Sequence, residues 1–191
     1  LLGEEQSGQI QTLGFSLYMD MLDRAVKAIR QGKQVDIEQS LRETIDINLR
    51  IPALIPQDYL PDVHMRLVMY KRLAGAENDD AIREIQVEMI DRFGLLPEPT
   101  KNLMRVTQLK IHAEALGIIK IEANNRGGKI EFSGTTQVDP LQIVKLVQSR
   151  PRHYKLDGTN QLRFSIPMET TEERLTIIGD LLNHLSPNTK H

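Results

Sequence analysis

Cysteine is absent from the 191-residue sequence, and tryptophan is absent as well. Without cysteine the chain forms no disulfide, no cysteine-ligated zinc site and no iron–sulfur cluster, and it has no catalytic thiol. This composition suits a reducing compartment, so we expect a cytoplasmic location. With only four tyrosines and four phenylalanines, the hydrophobic core must be built mainly from aliphatic side chains.

An excess of one charge is also missing, because 24 lysines and arginines face 26 aspartates and glutamates, for a formal net charge of -2. No overall basic field therefore indicates nucleic acid, and no basic amphipathic face indicates an anionic membrane. No apolar run approaches the roughly 20 residues of a membrane-spanning helix, and no signal-peptide pattern is present. Since the sequence begins at Leu1 rather than methionine, we expect it to be a piece of a longer protein.

Motifs that carry chemistry are missing too. The run Gly127-Gly128-Lys129 comes nearest to a phosphate-binding loop, but Ala123 replaces the first glycine of that motif and Ile130 replaces its serine or threonine. We therefore interpret this run as a hairpin turn. No two of the five histidines have the spacing of a His-Glu-x-x-His zinc helix. The sequence predicts no catalytic, cofactor-binding or metal-binding residues, and we do not expect this chain to be an enzyme by itself.

The spacing of apolar residues divides the chain into an arm and a compact domain. After a polar start that contains two glycines, apolar residues between Tyr18 and Ile29 recur with helical spacing. Strict alternation from Thr44 to Ile51 then predicts a strand, which Pro52 ends. These patterns define a helical arm at 1–34, a linker at 35–43, a compact domain at 44–186 and a frayed tail at 187–191.

Within the compact domain the pattern predicts five helices and two hairpins. Three helices come first, between Pro61 and Gly117, and residues that favour helix ends bound each of them. Asp139 begins a short fourth helix, and Thr170 with Glu173 forms a capping box for the last one. We therefore predict an α+β fold with about five helices and a small, mainly antiparallel sheet. The first three helices are predicted from Pro61 to Ala74, from Asn78 or Asp79 to Gly94, and from Thr100 to Leu116, and the hairpin loops at 124–128 and 157–160.

An acidic stripe lies on the second of these helices. At 100° per residue, Asp80, Glu84, Glu88 and Asp91 fall within about 80° of one another. One interpretation is a solvated face beside an acidic helix start, and the other is a surface complementary to a basic partner. Glu84, Glu88 and Asp91 are the candidate docking residues. Glu88 and Asp91 are the first choices, because the helix dipole disfavours anions near a C-terminus.

A small basic group, Arg150, Arg152 and Lys155, lies near a predicted strand start. It is interpreted either as a solvated loop or as a weak contact for phosphate. The sequence has too few aromatic residues for a platform on which bases could stack. We favour the solvated loop and keep an accessory nucleic-acid-binding module as the alternative function.

Five runs of residues resemble one bacterial protein family. Residues 1–8, Leu-Leu-Gly-Glu-Glu-Gln-Ser-Gly, look like the end of the translocation motif shared by the transcription-repair coupling factors and their fork-reversal relative RecG. Residues 14–18 extend this match. The later runs, at 50–56, 70–73 and 90–97, resemble the C-terminal domain of the coupling factors and distinguish the chain from RecG.

The resemblance implies a role in DNA repair. Coupling factors use ATP and magnesium to move along double-stranded DNA, displace stalled RNA polymerase and recruit UvrA. Because this sequence lacks the ATPase motifs, the resemblance implies that residues 1–34 are the tail of the translocase domain, with Gln6 as a remnant of its motif. It also implies that residues 44–186 are an autoinhibitory domain that docks on the UvrB-like N-terminal module of the same protein and masks its UvrA-binding surface. No cofactor in this chain and no membrane partner are implied.

Overall fold

The computed structural model describes residues 45–187, which form two compact units. One unit contains residues 52–108, and the other combines residues 45–51 with 109–187. The predicted arm and linker, including Gln6, and most of the predicted tail lie outside the described residues.

Five helices and five strands are found between residues 45 and 187, in agreement with the predicted α+β class. The helices are α1 (Val63–Ala74), α2 (Asp79–Phe93), α3 (Glu98–Ala115), α4 (Pro140–Ser149) and α5 (Thr171–Leu185), and the strands are β1 (Asp46–Asn48), β2 (Ile118–Ala123), β3 (Gly128–Phe132), β4 (Tyr154–Asp157) and β5 (Gln161–Phe164).

Helix α1 begins two residues later than predicted. The side chain of Asp62 accepts a hydrogen bond from the backbone N–H of Met65 and is the N-cap. Pro61 therefore precedes the cap. The sequence predicts Pro61 in the first turn of the helix, and this prediction is wrong. Asn78 caps α2 in the same way, and Gly94 follows its last residue, as predicted.

Helix α3 begins at Glu98, two residues before the predicted start at Thr100. Pro99 fits within the first turn, where a missing N–H costs no intrahelical hydrogen bond. The hydroxyl of Thr100 donates to the carbonyl of Leu54 at 3.0 Å, and the amide of Asn102 donates to the carbonyl of Pro52 at 2.9 Å. These two buried side chains bind the start of α3 to the segment that precedes α1.

The second unit contains a single five-stranded sheet with the strand order β1-β2-β3-β5-β4. Strand β1 is parallel to β2, and the other neighbours are antiparallel. β1 is shorter than the predicted strand at 44–51, because Arg50 has a left-handed backbone with φ of 51° and turns the chain before Pro52. Ile45 and Leu49 are nevertheless buried, as the alternation predicted.

One face of this sheet forms the core of the second unit. Ile121, Ile130 and Leu162 are adjacent cross-strand neighbours, and all three are fully buried. Helix α5 begins with the predicted capping box of Thr170 and Glu173. Its apolar face is buried over its whole length, through Leu175, Ile178, Leu181, Leu182 and Leu185.

A buried arginine joins the end of β1 to the loop that precedes α5. The guanidinium of Arg174 donates to the carbonyl oxygens of Leu49 at 3.0 Å, Arg50 at 3.2 Å and Met168 at 2.8 Å. The left-handed turn at Arg50 is therefore held by a side chain from a distant part of the sequence.

Candidate docking surface

Helix α2 has one buried face and one exposed face. Helical spacing predicts that Ile82, Ile85, Met89 and Phe93 face the core. The first three are buried and fix the helix to the interior of the first unit, whereas Phe93 is only half-buried. The opposite face carries the predicted acidic stripe, and Val87 lies along the edge of the stripe with about half of its surface exposed, at 52%. The stripe is therefore an exposed surface on a helix whose other face is packed in the core, and an apolar residue borders it.

Glu88 is bound within the chain. Its carboxylate accepts hydrogen bonds from Arg72 on α1 and from Arg92 one turn further along α2, the latter at 3.5 Å. The hydrogen bond from Arg72, together with the positive charges of both arginines, lowers the pKa of the Glu88 carboxyl. Glu88 remains partly exposed, but its charge is already compensated, and its first role is to join α1 to α2.

Glu84 and Asp91 are left as the uncompensated charges of the stripe. Asp80 forms an ion pair with Arg83 at 3.3 Å, whereas in the part of the chain that the structure describes no ion pair involves Glu84 or Asp91. Both residues are exposed. They lie seven residues apart, about 10 Å along the helix axis, with Val87 between them.

The C-terminal end of this stripe is held by aromatic contacts. The hydroxyl of Tyr59 donates to the carbonyl of Gly94 at 2.8 Å, and its ring meets that of Phe93 edge-on at a centroid distance of 6.3 Å. The guanidinium of Arg92 lies 5.0 Å from the centre of the Phe93 ring. Desolvation of its hydroxyl raises the pKa of Tyr59, so this hydrogen-bond donor, already protonated at neutral pH, stays protonated further into the alkaline range.

Sequence reasoning found the stripe but missed its internal compensation. The partner of Glu88 is on a neighbouring helix, sixteen positions earlier in the sequence, and no local spacing indicates that pairing. The one available signal was Arg92, which lies four residues after Glu88, a spacing at which opposite charges attract on a helix.

The described residues also include the sequence runs that were considered as phosphate or metal sites. Between residues 45 and 187 no group of three potential ligands could hold a metal ion. Gly127-Gly128-Lys129 belongs to the β2–β3 hairpin, as predicted, and a side chain at Gly128 would collide with the carbonyl oxygen of Glu122. His112 Nε2 lies 2.7 Å from the hydroxyl of Ser186, and that hydroxyl also lies 2.9 Å from the carbonyl oxygen of Leu182, to which it donates.

No helix in the described part of the chain is both long enough and apolar enough to cross a membrane.

Comparison with known structures gives the fold class first. The chain is similar to the crystal structure of the C-terminal domain of a transcription-repair coupling factor, with a TM-score of 0.62, 22% identity, and coverage of 77% of this chain and 96% of that chain. The described residues therefore have the fold of that domain.

Sequence comparison then gives the family. Residues 49–143 match the family model of the TRCF domain. The chain is 47% identical over 186 residues to the transcription-repair-coupling factor of Haemophilus influenzae and 42% identical over 188 residues to that of Escherichia coli. These matches cover 97% and 98% of the chain. The chain belongs to the transcription-repair coupling factor family, as the sequence runs predicted, and it spans about 16% of the length of these two relatives.

Proposed function

We propose that this TRCF domain is a regulatory, autoinhibitory domain of a coupling factor that acts in transcription-coupled DNA repair. It docks on the UvrB-like N-terminal module of the same protein and masks the surface that binds UvrA. The names of its relatives, which join transcription to repair, support the pathway. The location is cytoplasmic in this proposal, and ATP, magnesium, double-stranded DNA and RNA polymerase are bound by other parts of the parent protein.

The exposed face of α2 is the observation that carries this proposal. Two uncompensated carboxylates, Glu84 and Asp91, flank the exposed Val87 on a helix whose opposite face is buried. A basic surface with a small apolar contact is the matching partner. The charges would direct association and set specificity, while the valine would contribute an apolar part of the contact.

The carboxylates to which we assign docking differ from the first choices of the sequence prediction. Glu88 was a first choice for docking, but its ion pairs with Arg72 and Arg92 would have to be given up or shared in a complex. We therefore assign the docking contacts to Glu84 and Asp91, and we assign Glu88 to the support of the helix.

A binding experiment with the UvrB-like module supplied as a separate protein tests this assignment. The double variant Glu84→Arg/Asp91→Arg should bind at least about tenfold more weakly, mainly through a slower association rate. The matched control is Glu169→Arg/Asp180→Arg, which changes the net charge equally at two exposed carboxylates that belong to the second unit. The control should bind like the unmodified chain.

Two results would overturn the proposal. One is equal affinity of the double variant and the unmodified chain for the UvrB-like module. The other is an unchanged affinity for UvrA when Glu84→Arg/Asp91→Arg is introduced into the full-length protein, since loss of docking must expose the UvrA-binding surface. Circular dichroism of both variants checks that the domain has remained folded.

A further inference from the structure

Two rows of polar and charged side chains run across the second face of the sheet. Residues that pair directly across neighbouring strands lie on the same face, so the strand register defines two rows on this surface. The first row is Asp46, Lys120, Glu131, Gln161 and Asp157, and the second is Asn48, Glu122, Lys129, Arg163 and Lys155.

Three adjacent positions of the second row are cations. Lys129 pairs with Arg163, and Arg163 pairs with Lys155, so three positive charges lie side by side across β3, β5 and β4. We call these three residues the cationic row. Like charges directly opposite each other destabilise a sheet, so the needs of folding do not explain this arrangement.

The carboxylates near the cationic row compensate it only in part. Glu122 lies 3.6 Å from the amino group of Lys129 but also binds Lys120 at 3.0 Å. The carboxylate of Asp157 forms an ion pair with the Nε atom of Arg163. Lys155 is exposed and forms no ion pair with any residue between 45 and 187.

Two further arginines lie at the same end of the sheet. Strands β3 and β4 begin at this end of the sheet, and β5 ends there. Gly128 and Tyr154, the first residues of β3 and β4, both pair with Phe164, the last residue of β5. Arg126 lies in the loop just before β3, and Arg152 lies just before β4, and both are exposed. Positive charge is therefore concentrated at this end, in a sequence whose net charge is -2.

We propose that the cationic row, extended by Arg126 and Arg152, binds the phosphate backbone of nucleic acid without reading its sequence. Protein interfaces need a desolvated core that contains aromatic or aliphatic side chains, and neither row of this face contains an apolar residue. Phosphate binding requires only positive charge that displaces counterions. Because the aromatic rings of Tyr154 and Phe164 are buried, stacking with bases contributes nothing. This inference is independent of the docking face on α2.

Fluorescence anisotropy with the full chain and a labelled duplex of about 20 base pairs tests the proposal. If the row neutralises three phosphates, affinity should fall about 40-fold between roughly 50 and 200 mM salt. A duplex of unrelated sequence should bind equally well. The variant Lys129→Gln/Lys155→Gln/Arg163→Gln should reduce the slope of log affinity against log salt by about 2.7.

The control variant Lys71→Gln/Arg83→Gln/Lys145→Gln removes three exposed cations elsewhere and should retain the slope of the unmodified chain. If the first triple variant does not fold, Lys155→Gln alone should reduce the slope by about 0.9, because this residue is exposed and unpaired in the described part. Undetectable binding at low salt, or equal slopes for the two triple variants, would overturn the proposal. Stronger binding of a polyglutamate peptide than of DNA would overturn it in favour of an acidic protein partner.

Discussion

At the scale of single residues, Glu88 connects the stability of the first unit to pH. Because hydrogen bonding to Arg72 lowers the pKa of its carboxyl, this residue contributes stability at pH values above the ordinary pKa that it has in the unfolded chain. That contribution is lost as the pH falls through the lower pKa of the folded state. We therefore predict that Glu88→Gln lowers the melting temperature at pH 7, and that the difference from the unmodified chain shrinks as the pH falls toward about 3.

Thermal unfolding at a series of pH values measures this effect, and Asp91→Asn is the matched control. Asp91 is exposed and forms no ion pair in the described part of the chain, so its neutralisation should change the melting temperature little at any pH. A constant difference between Glu88→Gln and the unmodified chain from pH 7 to pH 3 would show that the ion pairs with Arg72 and Arg92 do not stabilise the fold.

The sequence predicts the buried residues of α2 well. It does not predict the partners of the charged residues on the same helix. The buried positions Ile82, Ile85 and Met89 follow from helical spacing alone, because the period of a helix is fixed. The partners of Glu88 and Arg174 depend on the meeting of segments that are distant in sequence. Arg174 donates to carbonyls more than one hundred residues earlier, and nothing beside it in the sequence indicates this.

At the scale of elements, the β2–β3 hairpin depends on a glycine that has no room for a side chain. A Cβ at Gly128 would lie 2.9 Å from the Cα of Ala123 and 2.8 Å from the Phe164 ring, and it would overlap the carbonyl oxygen of Glu122. We predict that Gly128→Ala destabilises the chain by about 1–3 kcal/mol, because the strands must separate to admit the methyl group. Urea unfolding monitored by circular dichroism measures the change.

The control for this substitution is Gly134→Ala, in the turn that follows β3. No neighbouring atom lies within 4 Å of a Cβ built at Gly134, and its backbone does not have a left-handed conformation. The variant should therefore be neutral or slightly more stable, since alanine restricts the unfolded chain. Equal destabilisation by the two substitutions would contradict the steric explanation for Gly128.

Short-range sequence patterns predict most of the helices and hairpins. They do not predict the order of the strands in the sheet. The cap at Asn78, the capping box at Thr170 and the two hairpin loops are short-range patterns, and the structure confirms them. The parallel pairing of Asp46 with Lys120 joins strands that three helices separate in sequence. Of the cationic row, the sequence indicated only Lys155, as part of a small basic group. Its neighbours Lys129 and Arg163 are identified only once the register of β3, β5 and β4 is known.

At the scale of the whole molecule, the chain should not hydrolyse ATP. A motor needs a phosphate-binding loop and a magnesium ligand, and the nearest candidate, Gly127-Gly128-Lys129, is a closely packed hairpin. We predict that phosphate release by the purified chain stays at background level with and without double-stranded DNA. The same assay on a full-length coupling factor is the positive control, and DNA-stimulated turnover by the chain would refute the prediction.

The position of β1 in the sequence has a consequence for synthesis on the ribosome. Residues 45–51 belong to the second unit, yet residues 52–108 of the first unit separate them from the rest of it. The continuous segment 52–108 emerges first and can become ordered, while β1 has no strand to pair with until residues 118–123 are translated. The nascent chain must therefore keep this short strand, with the apolar residues Ile45 and Leu49 that flank it, unpaired for several seconds at ordinary elongation rates. A truncated product that ends before β2 would leave the strand permanently without its partner.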